Sequence, residues 1–137
     1  MSSWSRKSKD HLELGRYGEW RARWFYRLRG YRIVDRNVVL GRGEVDLIVR
    51  RGSTLVFAEV KTRMSTDHGE PWQAVDHRKR RKLIELARRY VAIHPSKPAR
   101  LRFDVISISR SGGSWKLVHY PDAFRPESDA ERPWILH

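Results

Sequence analysis

Between residues 10 and 29, apolar and small side chains recur every three or four positions, at Leu14, Gly18, Ala22, Phe25 and Leu28. That period predicts a helix with one face turned to a core. Gly15, Gly18 and Ala22 are small, so a neighbour can pack closely there, and Gly30 supplies the stop. Residues 31–40 form a β-prone run with Ile33, Val34, Val38, Val39 and Leu40, punctuated by Gly41 and Gly43. Residues 44–50 and 54–62 make the clearest pair of strands. The helical period returns from Pro71 to Ile93, with Leu83, Leu86, Ala87, Tyr90 and Val91 as its buried stripe. Pro71 suits a first turn and His94-Pro95 an end. Residues 101–109 and 115–120 read as two more strands around Ser111-Gly112-Gly113. The predicted order is α-β-β-β-α-β-β. This is one mixed α/β domain over residues 10–124, with 1–9 and 125–137 as loosely packed termini.

The hairpin between residues 44 and 62 gathers the chemistry. Its only turn residues are Gly52-Ser53, and a two-residue loop there pairs Arg51 with Thr54. Asp46 then falls opposite Glu59, and Glu44 opposite Lys61. Opposed side chains share a face, and alternation puts Glu59 and Lys61 on that face too. The other face carries Val45, Leu47, Val49, Val56, Ala58 and Val60. One face is therefore expected to be core, and the other to collect Asp46, Glu59, Lys61 and Glu44. Two opposed carboxylates repel, and a hard divalent cation such as Mg²⁺ or Mn²⁺ relieves the repulsion. Asp46, Glu59 and the backbone carbonyl of Val60 would be its protein ligands, with Lys61 beside them to orient a water or steady charge on phosphorus. The same four side chains also make a reasonable solvent-facing ladder of salt bridges.

Charge changes the picture of partners. The 137 residues include 29 Lys and Arg against 16 Asp and Glu, a formal net charge of +13. Such a domain is drawn to polyanions, nucleic acid first among them. An anionic membrane surface is the rival, but no long helix has a clean basic face opposite a Trp/Leu face. Cysteine is absent, which excludes disulfides and thiolate metal sites and agrees with a reducing cytoplasm. Residues 1–10 are polar and basic, unlike a secretory leader, and no apolar run is long enough to span a bilayer. The expected location is the cytoplasm.

These residues carry a resemblance. Gly43-Glu44-Val45-Asp46-Leu47-Ile48 followed by Val56-Phe57-Ala58-Glu59-Val60-Lys61-Thr62-Arg63 resembles the PD-(D/E)XK nuclease signature. More closely, the chain resembles the YraN-like family of small uncharacterised bacterial proteins. Further matching segments are Gly15, Gly18, Glu19 and Ala22, Gly30-Tyr31, Arg36-Asn37, His68-Gly69 with Pro71, and Arg102-Phe103-Asp104-Val105. The likeness spans roughly residues 12–124. It implies a restriction-endonuclease-like fold, a mixed central sheet flanked by helices, similar to that of archaeal Holliday junction resolvases. It also implies that Glu19 of the first helix joins the site, and it makes a homodimer reasonable. Val45 stands where the motif's proline would be.

Basic positions extend the set. The second helix carries the run Arg78, Lys79, Arg80, Arg81 and Lys82 after His77, which reads as phosphate-binding or as a solvated face. Arg63 and Gln73, in and beyond the polar loop after Lys61, could reach the same strand of nucleic acid; His68 reads as a loop residue. Trp20, Trp24, Phe25 and Tyr26 exceed what one buried stripe holds, so Trp20 and Trp24 serve core packing, an oligomer contact or base stacking. Asp104 faces away from Phe103 and Val105 and reads as structural. The expected function is a metal-dependent endonuclease hydrolysing DNA phosphodiester bonds, on branched or damaged DNA. The alternatives are a non-catalytic nucleic-acid-binding module of a repair or recombination assembly, and a basic protein that binds a protein partner.

Overall fold

The protein is described by a computed structural model covering residues 3–64 and 76–126, with side chains from residue 12. Helix α1 spans Ser3–Arg27 and α2 His77–Ile93. The strands are β1 (Arg32–Leu40), β2 (Gly43–Arg51), β3 (Thr54–Met64), β4 (Arg100–Ser111) and β5 (Ser114–Phe124). They form one five-stranded sheet in sequence order. Only β3 and β4 are parallel, and α2 is the crossover between them. The predicted α-β-β-β-α-β-β order is the observed one.

Helices cover both faces of the sheet. On one side Ala22 and Tyr26 of α1 pack with Leu47, Val49, Val56, Ala58, Ile106 and Ile108. On the other, Leu83, Leu86, Ala87 and Tyr90 of α2 pack with Ile48, Leu55, Phe57, Phe103 and Val105. The expectation of one apolar face and one polar face along the hairpin is therefore corrected. The runs 47–49 and 55–58 are apolar at every position, the mark of strands buried on both sides. The polar residues collect at one end of the strands instead.

The turn Gly52-Ser53 has the expected two-residue form, with Arg51 opposite Thr54 and Gly52 at φ +60°, where glycine has no Cβ to clash. Helix α1 lies very close to β3 at Gly18: a Cβ built there would stand 1.8 Å from Thr62 Oγ1. Gly18→Ala is therefore expected to destabilise the domain by about 1–3 kcal/mol, despite alanine's better helix propensity. Thermal unfolding of the variant checks this, and an unchanged or raised Tm would contradict the close approach.

Several boundaries differ from expectation. Helix α1 begins at Ser3 rather than at residue 10. Asp76 caps α2, its side chain accepting the Lys79 N–H, so the first turn starts at His77 and not at Pro71. Pro71 and residues 127–137 of the expected C-terminal tail lie outside the described residues. Strand β5 runs to Phe124 because the Asp122 N–H finds an acceptor in the buried Asp104 carboxylate, 3.0 Å away. Among the described residues no helix is long and apolar enough to cross a membrane.

Candidate functional site

The sheet forks at Asp46. Strands β2 and β3 pair with opposed numbers summing to 105, as the turn dictates, from Arg51–Thr54 to Leu47–Ala58. There the recorded ladder ends, while β1–β2 pairing continues to Gly43 and β3–β4 pairing to Met64. Beyond the fork Asp46 is not a ladder partner of Glu59, and Glu44 is not one of Lys61, which corrects that part of the expected register. The Asp46 carboxylate takes the place of a ladder carbonyl: its Oδ2 accepts the Val60 N–H at 2.8 Å. Side-chain alternation is lost at the same point, since Val45 and Ile48, three apart, join the same core cluster.

The two acids nevertheless come close: the Val60 N–H that Asp46 accepts belongs to the residue after Glu59, and the Asp46 charge is felt at Glu59. Glu59 is only 7% exposed, and its pKa is raised to about 7, first by burial and then by the Asp46 charge, against the pull of Lys79. Burial also raises the pKa of Asp46, against the pull of the Val60 N–H and of Lys79. Glu19 on α1 belongs to the same field. Its pKa is raised by burial and next by Asp46, while Arg23, Arg36 and Asn37 counter this. The close seat of Gly18 on Thr62 is what lets a helix carboxylate come near the fork.

Lys79 is the cation of the site. Its Nζ lies 3.0 Å from Glu59 Oε2. Burial works to lower its pKa, but the charges of Glu59, Asp46 and Glu44 outweigh this and raise it. The sequence reading placed Lys79 among phosphate-binding residues and missed this pairing. A signal existed: Lys79 lies four residues before Leu83 and seven before Leu86, on the extension of the buried stripe. Lys61, by contrast, is exposed, and among the described residues no ion pair holds its ammonium.

The rest of the basic run divides. Arg78 and Lys82 line a cleft of about 360 Å³ with Arg42, Glu44, Asp76 and Lys79. Arg81 Nε donates to His77 Nε2 on its own helix, and Arg80 is half-buried. Arg63 is half-buried at the end of β3, whereas Gln73 and His68 lie outside the described residues.

The donors present are hard oxygens. Among the described residues no three His, Cys, Asp or Glu side chains converge on one point, so the protein set is two carboxyl groups and, as third candidate, the Val60 carbonyl. A buried Glu59 beside a half-buried Asp46, whose charge raises the cost of charging Glu59, is a donor set that suits a small divalent cation. Such a cation would offset their repulsion and part of the cost of burying their charges.

Away from the fork, Asp104 is 1% exposed and fully occupied. It accepts from Tyr26 Oη (2.8 Å), from Arg102 Nε and Nη2 (both 2.9 Å) and from the Asp122 N–H, and His119 Nε2 lies 2.8 Å away. Burial works to raise its pKa, but these partners hold it at about 2. It is structural, as expected: it ties α1, β4 and β5 together.

A basic α/β domain with paired carboxyl groups at a fork in a five-stranded sheet is thus the class defined by fold and site. The chain belongs to the Uncharacterised protein family UPF0102, also known as YraN-like, whose profile it matches over residues 18–108. It is 40% identical over 115 residues to a UPF0102 protein of Syntrophotalea carbinolica, covering 84% of this chain and 94% of that one. A Frankia alni UPF0102 protein is 43% identical over 119 residues, 86% of this chain and 98% of its own. One from Symbiobacterium thermophilum is 45% identical over 95 residues, 69% of this chain and 80% of its own.

Proposed function

We propose that this protein is a metal-dependent nuclease of the PD-(D/E)XK, restriction-endonuclease-like type, hydrolysing DNA phosphodiester bonds. The observation that carries the reading is the closeness of Asp46 and Glu59 at the fork, where Asp46 accepts the N–H of the residue after a buried Glu59. A purely DNA-binding surface has no use for paired acids that repel phosphate. A bound Mg²⁺ or Mn²⁺ would supply positive charge to polarise the phosphoryl group and make a water more acidic.

The chain's residues divide the remaining work. Asp46 and Glu59 would hold the cation, with the Val60 carbonyl as third donor. Asp46 is pre-aimed by its hydrogen bond from the Val60 N–H. Lys61, exposed two residues beyond Glu59, would stabilise charge growing on a scissile phosphate. Glu19 adds a further carboxylate close enough to feel Asp46. Arg42, Arg78 and Lys82 in the adjoining cleft would contact the backbone phosphates. The likeness to resolvases adds branched DNA as the first substrate to assay. The test is cleavage of supercoiled, linear and four-way-junction DNA with MgCl₂ or MnCl₂. Extensively purified protein that nicks none of them would overturn the reading.

One observation favours a non-catalytic nucleic-acid-binding module: Lys79 already neutralises Glu59 without any metal. The two readings part on Lys79→Met. If the acids exist to hold a divalent cation, the variant loses about 1 kcal/mol of stability at pH 8 without metal, a small loss because the lysine is part-exposed. It then gains more than the wild type in Tm on addition of MnCl₂. A variant equally destabilised and indifferent to MnCl₂ marks the ion pair as structural.

A further inference from the structure

The outer side of α1 carries apolar surface that the core does not use. Trp20 is 48% exposed, Trp24 44% and Leu28 77%. With Arg21, Phe25, Arg29 and Leu117 they line a groove of about 500 Å³. Three rings connect, Tyr17 standing 4.3 Å from Trp115 of β5 and 5.9 Å from Trp20, centroid to centroid, and Trp24 lines the groove beside Trp20. Guanidinium groups lie among the rings, Arg27 5.5 Å from the Trp24 ring, Arg29 3.7 Å from Phe25 and Arg110 5.5 Å from Trp115. This row lies toward β5, whereas Glu19 on the same helix lies toward Asp46 and Asn37.

We propose that this row of exposed tryptophans set among arginines is a stacking platform for an unpaired nucleic-acid strand. It deepens the DNA-directed reading by naming the substrate class, DNA that carries a single-stranded segment, but it does not depend on cleavage. Bases have flat π-faces that stack on Trp20 and Trp24, and the phosphates between them need the positive charge that the flanking arginines provide. Duplex DNA offers phosphates but buries its π-faces, so it gains little from the rings. Charge complementarity selects this occupant over a second copy. A self-complementary contact here would bring Arg21, Arg27 and Arg29 of two chains, each of net charge +13, against one another.

The experiment is fluorescence anisotropy in EDTA, with a fluorescein-labelled oligo(dT) 20-mer and a blunt duplex of the same length, on the full chain and its variants. Trp24→Ala and Trp20→Ala are each expected to weaken oligo(dT) binding by about tenfold or more and to leave duplex binding nearly unchanged. Trp24→Phe should keep most of the affinity. Because both residues are exposed, the variants should retain wild-type Tm. Equal loss of single-strand and duplex binding, or no loss of either, overturns the proposal. So does sedimentation showing a wild-type dimer that Trp24→Ala splits, which would assign the row to self-association. Failure here leaves the nuclease reading standing if Glu59→Gln still abolishes cleavage. Conversely, protein that never cuts DNA but loses oligo(dT) binding in Trp24→Ala sinks that reading alone.

Discussion

Glu59→Gln is expected to lower metal-supported DNA cleavage by at least about 10²–10³-fold while DNA affinity stays close to wild type. Without metal at pH 8, it should also raise Tm. The second effect follows from the sign of the titration. The Glu59 pKa is about 7 in the folded protein against a reference of 4.5, so the folded state binds the extra proton between those values. Stability therefore falls as pH rises from 4.5 through 7, by about 3 kcal/mol once Glu59 is ionised. An amide cannot ionise, so the variant escapes that loss. A divalent cation needs the ionised carboxylate, so the wild-type Tm gain from MnCl₂ should grow between pH 5 and pH 8 and should be largely absent in Glu59→Gln. Plasmid nicking and thermal melts at pH 5, 6, 7 and 8 measure both. Parallel pH profiles for the two proteins, or full cleavage by the variant, would refute the assignment.

The largest stability effect is expected at Asp104. Asp104→Ala leaves Arg102 and the Tyr26 hydroxyl facing each other without an acceptor, and removes the acceptor of the Asp122 N–H. Losing one side of a buried charged network costs about 3–5 kcal/mol, a large share of a domain's total of about 5–15 kcal/mol. Because Asp104 titrates near 2 when folded and at 3.8 otherwise, its contribution is complete above pH 3.8 and fades as pH falls through 2. Urea unfolding at pH 7 should show the loss in full, and the gap between variant and wild type should narrow toward pH 2. A loss below about 1 kcal/mol would mean that the network relaxes around the missing carboxylate.

Much of the fold was legible because periodicity reports burial. The stripe Leu83, Leu86, Ala87 and Tyr90 marks α2, and the Gly52-Ser53 turn sets the β2–β3 register residue by residue as far as Leu47–Ala58. What periodicity could not report was the fork. Alternation assumes that a strand keeps its partner, and Asp46 breaks that assumption by putting a side chain where a backbone acceptor would be. The expected opposition of Glu44 and Lys61 was lost for that reason. The acids themselves still converged, because the pairing up to Leu47–Ala58 leaves them little room to part.

The turn chemistry, the apolar runs and the order of elements thus specified by themselves a mixed α/β sheet with Asp46 and Glu59 as near neighbours. These are local matters, decided by contacts close in sequence. Tertiary packing alone decided that α2 would deliver Lys79 onto Glu59 and that α1 would bring Glu19 near Asp46. It also drew Tyr26, His119 and Asp122 together on Asp104. Each of these meetings joins residues distant in the chain, and the energy that enforces them comes from burying both faces of the sheet, which no short window of sequence contains.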